Sequence, residues 1–309
     1  MAGVMDSVNQ RTQLVGENRL ELLMFNLNGR QTFAINVFKI QEVLKLSGLT
    51  KMPHEHPAVC GVTNLRGKTV PIINLSMAIK MPPITPTSDS TIIVTEYNRS
   101  VQGFLIGGVD RIVNMNWGDI SAPPKGAGRN HYLTAITRYE GTLVEIIDVE
   151  KVLAEIVPYN TDISDDILDQ NILSQGEGRR VLIVDDSPVA MGQASSTVKK
   201  LGLDVVCATN GLEAFNILKG WAEQGIEEID KLLMIITDAE MPEMDGYMLT
   251  TAIRQDDRLK HLFIVLHTSL SGNFNKAMVK KVGCDGFLSK FQPDELAEVV
   301  QSRLKSVIR

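Results

Sequence analysis

The stretch from Leu232 to Gly246 has the sequence Leu-Leu-Met-Ile-Ile-Thr-Asp-Ala-Glu-Met-Pro-Glu-Met-Asp-Gly. Its apolar beginning is short and contains isoleucines, which is typical of a strand buried on both faces of a parallel sheet. The apolar run is followed by Asp238, and the carboxyl ends of strands are where open α/β sheets bind their ligands. We therefore expect Asp238 to lie at the functional edge of a sheet.

Strand and helix patterns alternate on both sides of this stretch, from Arg179 to the end of the chain. Ser187-Pro188 supplies an N-cap residue and a proline for the first helix position. Pro293 opens a last helical pattern. Five strands alternating with helices predict a doubly wound, flavodoxin-like α/β domain with a parallel sheet.

Acidic and basic residues follow the predicted strands of this domain. Asp185 and Asp186 follow the first strand, Asp238 the third, Thr268 the fourth and Lys290 the fifth. Carboxylates crowded at one edge repel one another, and oxygen ligands of this kind favour Mg²⁺. The alternative is that the first two aspartates cap a helix and the lysine lies on the surface. The aspartates, the threonine and the lysine all follow predicted strands of one sheet, which favours a functional site. An aspartate can accept a phosphoryl group covalently, so this pattern predicts a phosphoryl-transfer site.

This half of the chain resembles the receiver domain of two-component response regulators. The motifs are Val-Leu-Ile-Val-Asp-Asp-Ser (181–187), Asp-Ala-Glu-Met-Pro-Glu-Met-Asp-Gly (238–246), the threonine after strand four, and Gly-Cys-Asp-Gly-Phe-Leu-Ser-Lys (283–290). The resemblance implies that Asp238 accepts phosphate from a phosphohistidine on a partner kinase. It also implies roles for six further residues: Asp185, Asp186 and the Glu240 backbone carbonyl as Mg²⁺ ligands, Thr268 and Lys290 on the phosphoryl group, and Phe287 as an aromatic switch.

The chain departs from the receiver pattern near the site. Phe291 stands where the family has a proline, and Ser269 where a small alanine is usual. Glu240 places a long acidic side chain beside the acceptor, and we predict that it slows the attack of water on the phosphorylated aspartate.

The first half of the chain has a different pattern, in which many short apolar runs are separated by turn signals. Asn28-Gly29 is the strongest of these signals and predicts a hairpin. Such a pattern predicts one or two small β-barrels, closed by a helix at Glu150–Ile156. The residues alone reveal no catalytic set here.

This half resembles CheW-like coupling domains, through Phe-Ala-Ile-Asn-Val-Phe-Lys-Ile-Gln-Glu-Val (33–43), Gly-Val-Thr-Asn-Leu-Arg-Gly-Lys-Thr-Val-Pro-Ile-Ile-Asn-Leu (61–75) and Tyr-Leu-Thr-Ala-Ile (132–136). The resemblance implies two five-stranded SH3-like barrels. It also implies binding to chemoreceptor cytoplasmic tips and to the histidine kinase CheA, through positions matching Ile40, Glu42, Gly61 and Arg66. Gly107 departs from the pattern, since an aspartate is common there.

We therefore expect four segments along the chain. They are a lead-in at 1–19, a coupling domain at 20–157, an acidic linker at 158–178 and a receiver at 179–309. Within the linker, Ile163, Ile167, Leu168 and Ile172 have the spacing of a short amphipathic helix.

Composition excludes several classes of function. The net charge of −6 and the absence of a basic recognition helix argue against nucleic-acid binding. No apolar run approaches the length of a membrane span, and the three separated cysteines suit reduced thiols. We expect a cytoplasmic protein without direct membrane insertion.

The domain order is similar to that of chemotaxis coupling proteins fused to a receiver, and predicts an adaptor at membrane-associated chemoreceptor arrays rather than an enzyme. Phosphorylation of Asp238 would modulate coupling as part of adaptation. One alternative is a phosphate sink that drains CheA. Another is a Mg²⁺-dependent phosphatase with an aspartyl intermediate, although the Asp-x-Asp-x-Thr motif of such enzymes is absent.

Overall fold

A computed structural model describes residues 19–53, 56–97, 100–121, 123, 132–157, 162–169, 176–268, 282–290 and 292–307. The chain forms two compact units: Arg19–Pro158 belongs to one, here called the β unit, and Tyr159–Arg309 to the other, here called the α/β unit. Among the described residues, no helix combines the length and the apolar character needed to span a bilayer.

The strands of the β unit form two sheets. They are β1 (Arg19–Asn26), β2 (Thr32–Asn36), β3 (Glu42–Lys45), β4 (Val59–Leu65), β5 (Lys68–Asn74), β6 (Thr91–Tyr97), β7 (Ser100–Ile106), β8 (Gly108–Asn116), β9 (Ile120–Ser121), β10 (Leu133–Tyr139) and β11 (Thr142–Ile147). One sheet has the order β8-β1-β2-β11-β10-β9 and the other β3-β6-β7-β5-β4. The first sheet has a sixth strand beyond the expected five because the two-residue β9 pairs with β10.

Local sequence signals account for several elements of the β unit. The predicted Asn28-Gly29 hairpin joins antiparallel β1 and β2. Within residues 37–46, a 3-10 turn (Val37–Lys39) is followed by β3. Two helices, α1 (Leu75–Ala78) and α2 (Val149–Ile156), follow β5 and β11; α2 is the predicted closing helix.

The α/β unit is a five-stranded parallel sheet with helices on both faces. Its elements are β12 (Arg180–Val184), α3 (Pro188–Lys200), β13 (Asp204–Ala208), α4 (Gly211–Gln224), α5 (Ile226–Asp230), β14 (Leu232–Thr237), α6 (Gly246–Gln255), β15 (Ile264–Thr268), β16 (Gly286–Ser289) and α7 (Pro293–Val307). The strand order β13-β12-β14-β15-β16 confirms the predicted doubly wound fold. It also places β12 beside β14, so that their carboxyl ends are neighbours.

Two apolar clusters cover the faces of this sheet. One contains side chains from α3 and α7, including Val198 and Leu304. The other contains side chains from α4 and α6, including Leu218 and Ile253. All six residues of β14 are buried, as its unbroken apolar sequence predicts for a central parallel strand.

Two features of the α/β unit differ from the expectations. The short helix α5 was not predicted. Of the positions expected in a short amphipathic helix, Ile163, Ile167 and Leu168 lie in the described residues 162–169, where the structure forms a 3-10 turn (Asp165–Ile167). Ile172, the last position of that pattern, lies outside the described residues.

Candidate functional site

Three aspartates meet at the carboxyl edge of the α/β sheet. Asp185 and Asp186 follow β12, and Asp238 follows β14. One carboxylate oxygen from each lies within 4.8 Å of the others. Asp185 and Asp238 are buried, and Asp186 is half-buried. The predicted cluster therefore exists as a geometric unit.

A buried lysine contributes the positive charge of this cluster. Lys290 Nζ lies 2.8 Å from Asp238 Oδ2 and 2.9 Å from Asp185 Oδ2. The lysine side chain is only 1% exposed, so its ammonium group is compensated by these carboxylates rather than by bulk water. Its backbone amide donates to the Thr268 carbonyl at 3.0 Å and extends the pairing of β15 with β16. Phe291, the departure that follows it, lies outside the described residues, as does Ser269.

The backbone around Asp238 is held by short-range contacts. Its amide donates to the Val184 carbonyl at 2.8 Å, and its Oδ1 accepts from the Ala239 amide at 2.7 Å. The loop then returns to the strand end at Gly246, where an added Cβ would lie 2.0 Å from the Asp238 carbonyl oxygen. Only glycine permits this approach, which explains the glycine of the Asp245-Gly246 turn.

The donor set fits Mg²⁺. Three carboxylates against one ammonium group leave an excess of negative charge, and hard oxygen donors of this kind suit a small divalent cation that keeps several of its waters. The same cation would relieve the repulsion among the carboxylates. Asp185 Oδ1 already accepts from the Ser187 amide at 2.9 Å, which orients this ligand before α3 begins.

Thr268, predicted to contact the phosphoryl group, and Phe287, the predicted aromatic switch, lie on neighbouring strands. Thr268 is the last residue of β15 and is buried; in the parallel register it pairs with Ser289 of β16. Phe287 is half-buried and packs against a small cluster formed by Ala239, Tyr247 and Leu266. The structure thus places Phe287 against a cluster that contains Ala239, the residue after Asp238.

Tyr247 is a residue of this neighbourhood that the sequence analysis did not single out. It is buried, and burial raises the pKa of its phenol above the usual value, with the nearby carboxylates of Glu240, Asp245 and Asp238 adding to the rise. The phenol therefore stays neutral next to the acidic cluster. The sequence signal was an aromatic residue directly after the Asp-Gly turn.

The four predicted contact residues of the β unit have different environments. Arg66 Nη2 donates to Glu42 Oε2 at 2.6 Å, and the arginine side chain is 81% exposed. Ile40 is half-buried after the Val37–Lys39 turn. Gly61 is buried with φ of +141°, and an added Cβ would lie 2.3 Å from the Thr50 carbonyl oxygen. Gly61 therefore shapes the backbone, whereas Glu42 and Arg66 form an accessible charged pair.

Comparisons with known proteins agree with this architecture. A family model described as CheW-like domain matches residues 21–157, and one described as response regulator receiver domain matches residues 181–301. Chemotaxis protein CheV1 of Helicobacter pylori is 30% identical, with 99% of both chains covered. Chemotaxis protein CheV2 of the same organism is 26% identical, over 96% of this chain and 98% of its own.

A third relative matches less than half of this chain. Chemotaxis protein CheW of Bacillus subtilis is 27% identical over 43% of this chain and 86% of its own length. The two family models match the two halves of this chain in order, and the match to CheV1 covers nearly the whole chain. The chain therefore belongs to the CheV family of chemotaxis proteins, in which a CheW-like domain is followed by a response regulator receiver domain.

Proposed function

We propose that this protein couples chemoreceptors to the histidine kinase CheA and that phosphorylation of Asp238 adjusts this coupling during adaptation. The observation that carries the proposal is the buried Lys290–Asp238–Asp185 group in a receiver joined to a CheW-like domain. The protein acts as an adaptor at the receptor arrays, on the cytoplasmic side of the membrane, and the chemistry at Asp238 serves regulation.

The transfer step uses the carboxylate of Asp238 as nucleophile. One of its oxygens attacks the phosphorus of a phosphohistidine on CheA, the P–N bond breaks, and the electron pair returns to the imidazole, which takes up a proton. Asp185, Asp186, Asp238 and the backbone carbonyl of Glu240 would hold Mg²⁺, which would neutralise charge on the phosphoryl oxygens. Lys290 and the Thr268 hydroxyl position the transferred group.

Phosphorylation must favour one of two receiver conformations to have an effect. In the resting structure Lys290 contacts two carboxylates, one of which becomes the acyl phosphate. Thr268 and Phe287 are the residues through which this change reaches the receiver surface. In the β unit, Ile40, Glu42 and Arg66 contact receptor and kinase, and Gly61 maintains the backbone that presents them.

The kinase rate in a reconstituted array tests this proposal. CheA, a chemoreceptor and this protein are combined with Mg²⁺, and ATP consumption is measured with and without beryllofluoride, a stable phosphoryl analogue. We expect the protein to raise receptor-controlled kinase activity and beryllofluoride to change it in wild type but not in Asp238→Ala. Equal coupling in all four samples, together with rapid loss of phosphate from Asp238, would instead support the phosphate sink.

A further inference from the structure

Residues 162–169, here called the strap, pack against the α/β unit. Ile163 is buried, and Ile167 and Leu168 are half-buried against the apolar cluster that includes side chains of α3 and α7. Their side chains remove from water an apolar surface that α3 and α7 would otherwise expose. Part of the segment that connects the two units is thus built into one of them.

The beginning of the strap is bound to the first turn of α7. The Ser164 amide donates to Asp294 Oδ1 at 2.9 Å, and the Ser164 hydroxyl donates to Asp294 Oδ2 at 2.8 Å. Both oxygens of one carboxylate are therefore used on one strap residue. Two hydrogen bonds to one carboxylate depend on its orientation as well as on its distance. The contact with Ser164 is therefore sensitive to the position of Asp294.

The end of the strap is bound by a glutamine in the middle of α7. Gln301 is 5% exposed; its Oε1 accepts from the Asp169 amide at 2.8 Å, and its Nε2 donates to the Ile167 carbonyl at 3.0 Å. A buried amide needs both kinds of partner, since an unmet donor or acceptor is costly away from water. Both polar atoms of the Gln301 side chain therefore have a partner in the strap backbone, which makes the contact between α7 and the strap specific.

The strap anchor is close in sequence to the phosphorylation site. Asp294 lies four residues after Lys290, whose ammonium group contacts Asp238 at 2.8 Å. Conversion of Asp238 to an acyl phosphate replaces a carboxylate partner of Lys290 by phosphoryl oxygens. The connection from β16 to α7 is short, so a shift at Lys290 reaches the first turn of α7 and the two bonds to Ser164.

We propose that phosphorylation of Asp238 loosens the strap from α7 and so lengthens the tether between the two units; this rests on the function proposed above. With the strap bound, the tether after α2 is segment 157–161, which reaches at most about 20 Å. With the strap free it is segment 157–175, which reaches at most about 65 Å, because Gly176 is buried and the Arg179 carbonyl accepts from the Asp204 amide. The longer tether lowers the effective concentration of one unit around the other.

Hydrogen exchange of the full-length protein, followed by mass spectrometry, tests this proposal. The amides of Ser164, Ile167 and Asp169 donate hydrogen bonds in the strap and are the readout. With Mg²⁺ and beryllofluoride we expect strap peptides to exchange at least threefold faster than with Mg²⁺ alone. Gln301→Leu, which keeps the apolar packing but not the two bonds, should exchange fast without beryllofluoride.

Two controls separate the possible failures. Lys305→Ala removes only a 4.0 Å contact to Asp169 and should leave strap exchange unchanged. The ¹⁹F signal of bound beryllofluoride reports whether the site is occupied. An occupied site with unchanged or slower strap exchange overturns the proposal, as does a Gln301→Leu protein with full protection. A site that does not bind beryllofluoride overturns the function proposed above, and with it the proposed release of the strap. In that case, Gln301→Leu still tests whether Gln301 holds the strap on α7 in the unphosphorylated protein.

Discussion

Lys290 Nζ lies 2.8 Å from Asp238 Oδ2, and both side chains are almost completely buried. The predicted acceptor, Asp238, is thus in contact with the ammonium group that we expect to position a phosphoryl group. Because Asp185 shares this lysine, the charge of Lys290 compensates two carboxylates at once.

Replacement of Lys290 by methionine removes this compensation. Two buried carboxylates then face each other, and removing one partner of a buried charge group typically costs about 3 kcal/mol or more. We expect the free energy of unfolding of the α/β unit to fall by about this amount in Mg²⁺-free buffer, measured by urea denaturation and circular dichroism. Lys231→Met removes an exposed pair with Glu228 and should cost less than about 1 kcal/mol. Equal losses for the two variants would contradict the stabilising role of Lys290.

Magnesium should stabilise the folded α/β unit. An ion that binds only the native state at tenfold above its Kd adds about 1.4 kcal/mol to the free energy of unfolding. Asp186→Asn removes one predicted ligand and keeps Asp185 and Asp238, the two carboxylates that contact Lys290. We expect Mg²⁺ to raise the melting temperature of wild type, and this increase to be largely absent in Asp186→Asn. A full increase in the variant would exclude Asp186 as a ligand.

Glu240 should prolong the life of the phosphorylated state. Its side chain is half-buried in the acceptor loop and close enough to Tyr247 to raise the pKa of that phenol. A negative charge here disfavours the approach of the attacking water. We expect Glu240→Ala to lose phosphate about threefold to tenfold faster, a change of about 1 kcal/mol in the barrier. Glu243→Ala, an exposed acid of the same loop, is the control; a lifetime equal to wild type in Glu240→Ala would refute the idea.

Gly107 should be intolerant of any side chain. A Cβ at this position would lie 2.0 Å from the Leu27 carbonyl oxygen, where β7 ends against the end of β1. We expect Gly107→Ala to destabilise the β unit by about 2 kcal/mol or more, measured by chemical denaturation. Gly118→Ala is the matched control, since nothing lies within 4 Å of its added Cβ. Equal stability of the two variants would contradict the close approach.

Local signals explain which parts of the fold were predictable. The Asn28-Gly29 hairpin and the Ser187-Pro188 helix start depend on neighbouring residues only, and both are present in the structure. Helix α5 was missed because five residues are too few to establish a helical period. The acidic cluster was predictable because parallel strands bring their carboxyl ends to one edge.

Contacts between distant residues that do not lie at strand ends were not revealed by the sequence. The strap was assigned to a linker on its acidic composition, yet Gln301, far along the chain, completes its hydrogen bonds. The pairing of Arg66 with Glu42 likewise depends on how β3 and β4 are arranged. The residue pattern within one segment does not predict which side chains of another segment will contact it.

Phosphotransfer from labelled, phosphorylated CheA in the presence of Mg²⁺ tests the central claim most directly. The same amount of wild type and Asp238→Ala is mixed with the kinase, and the label on each is followed over time. We predict label on wild type that persists for many minutes, and none on Asp238→Ala. Absence of label from wild type, or equal label on the variant, would contradict the assignment of Asp238 as the acceptor through which this protein is regulated.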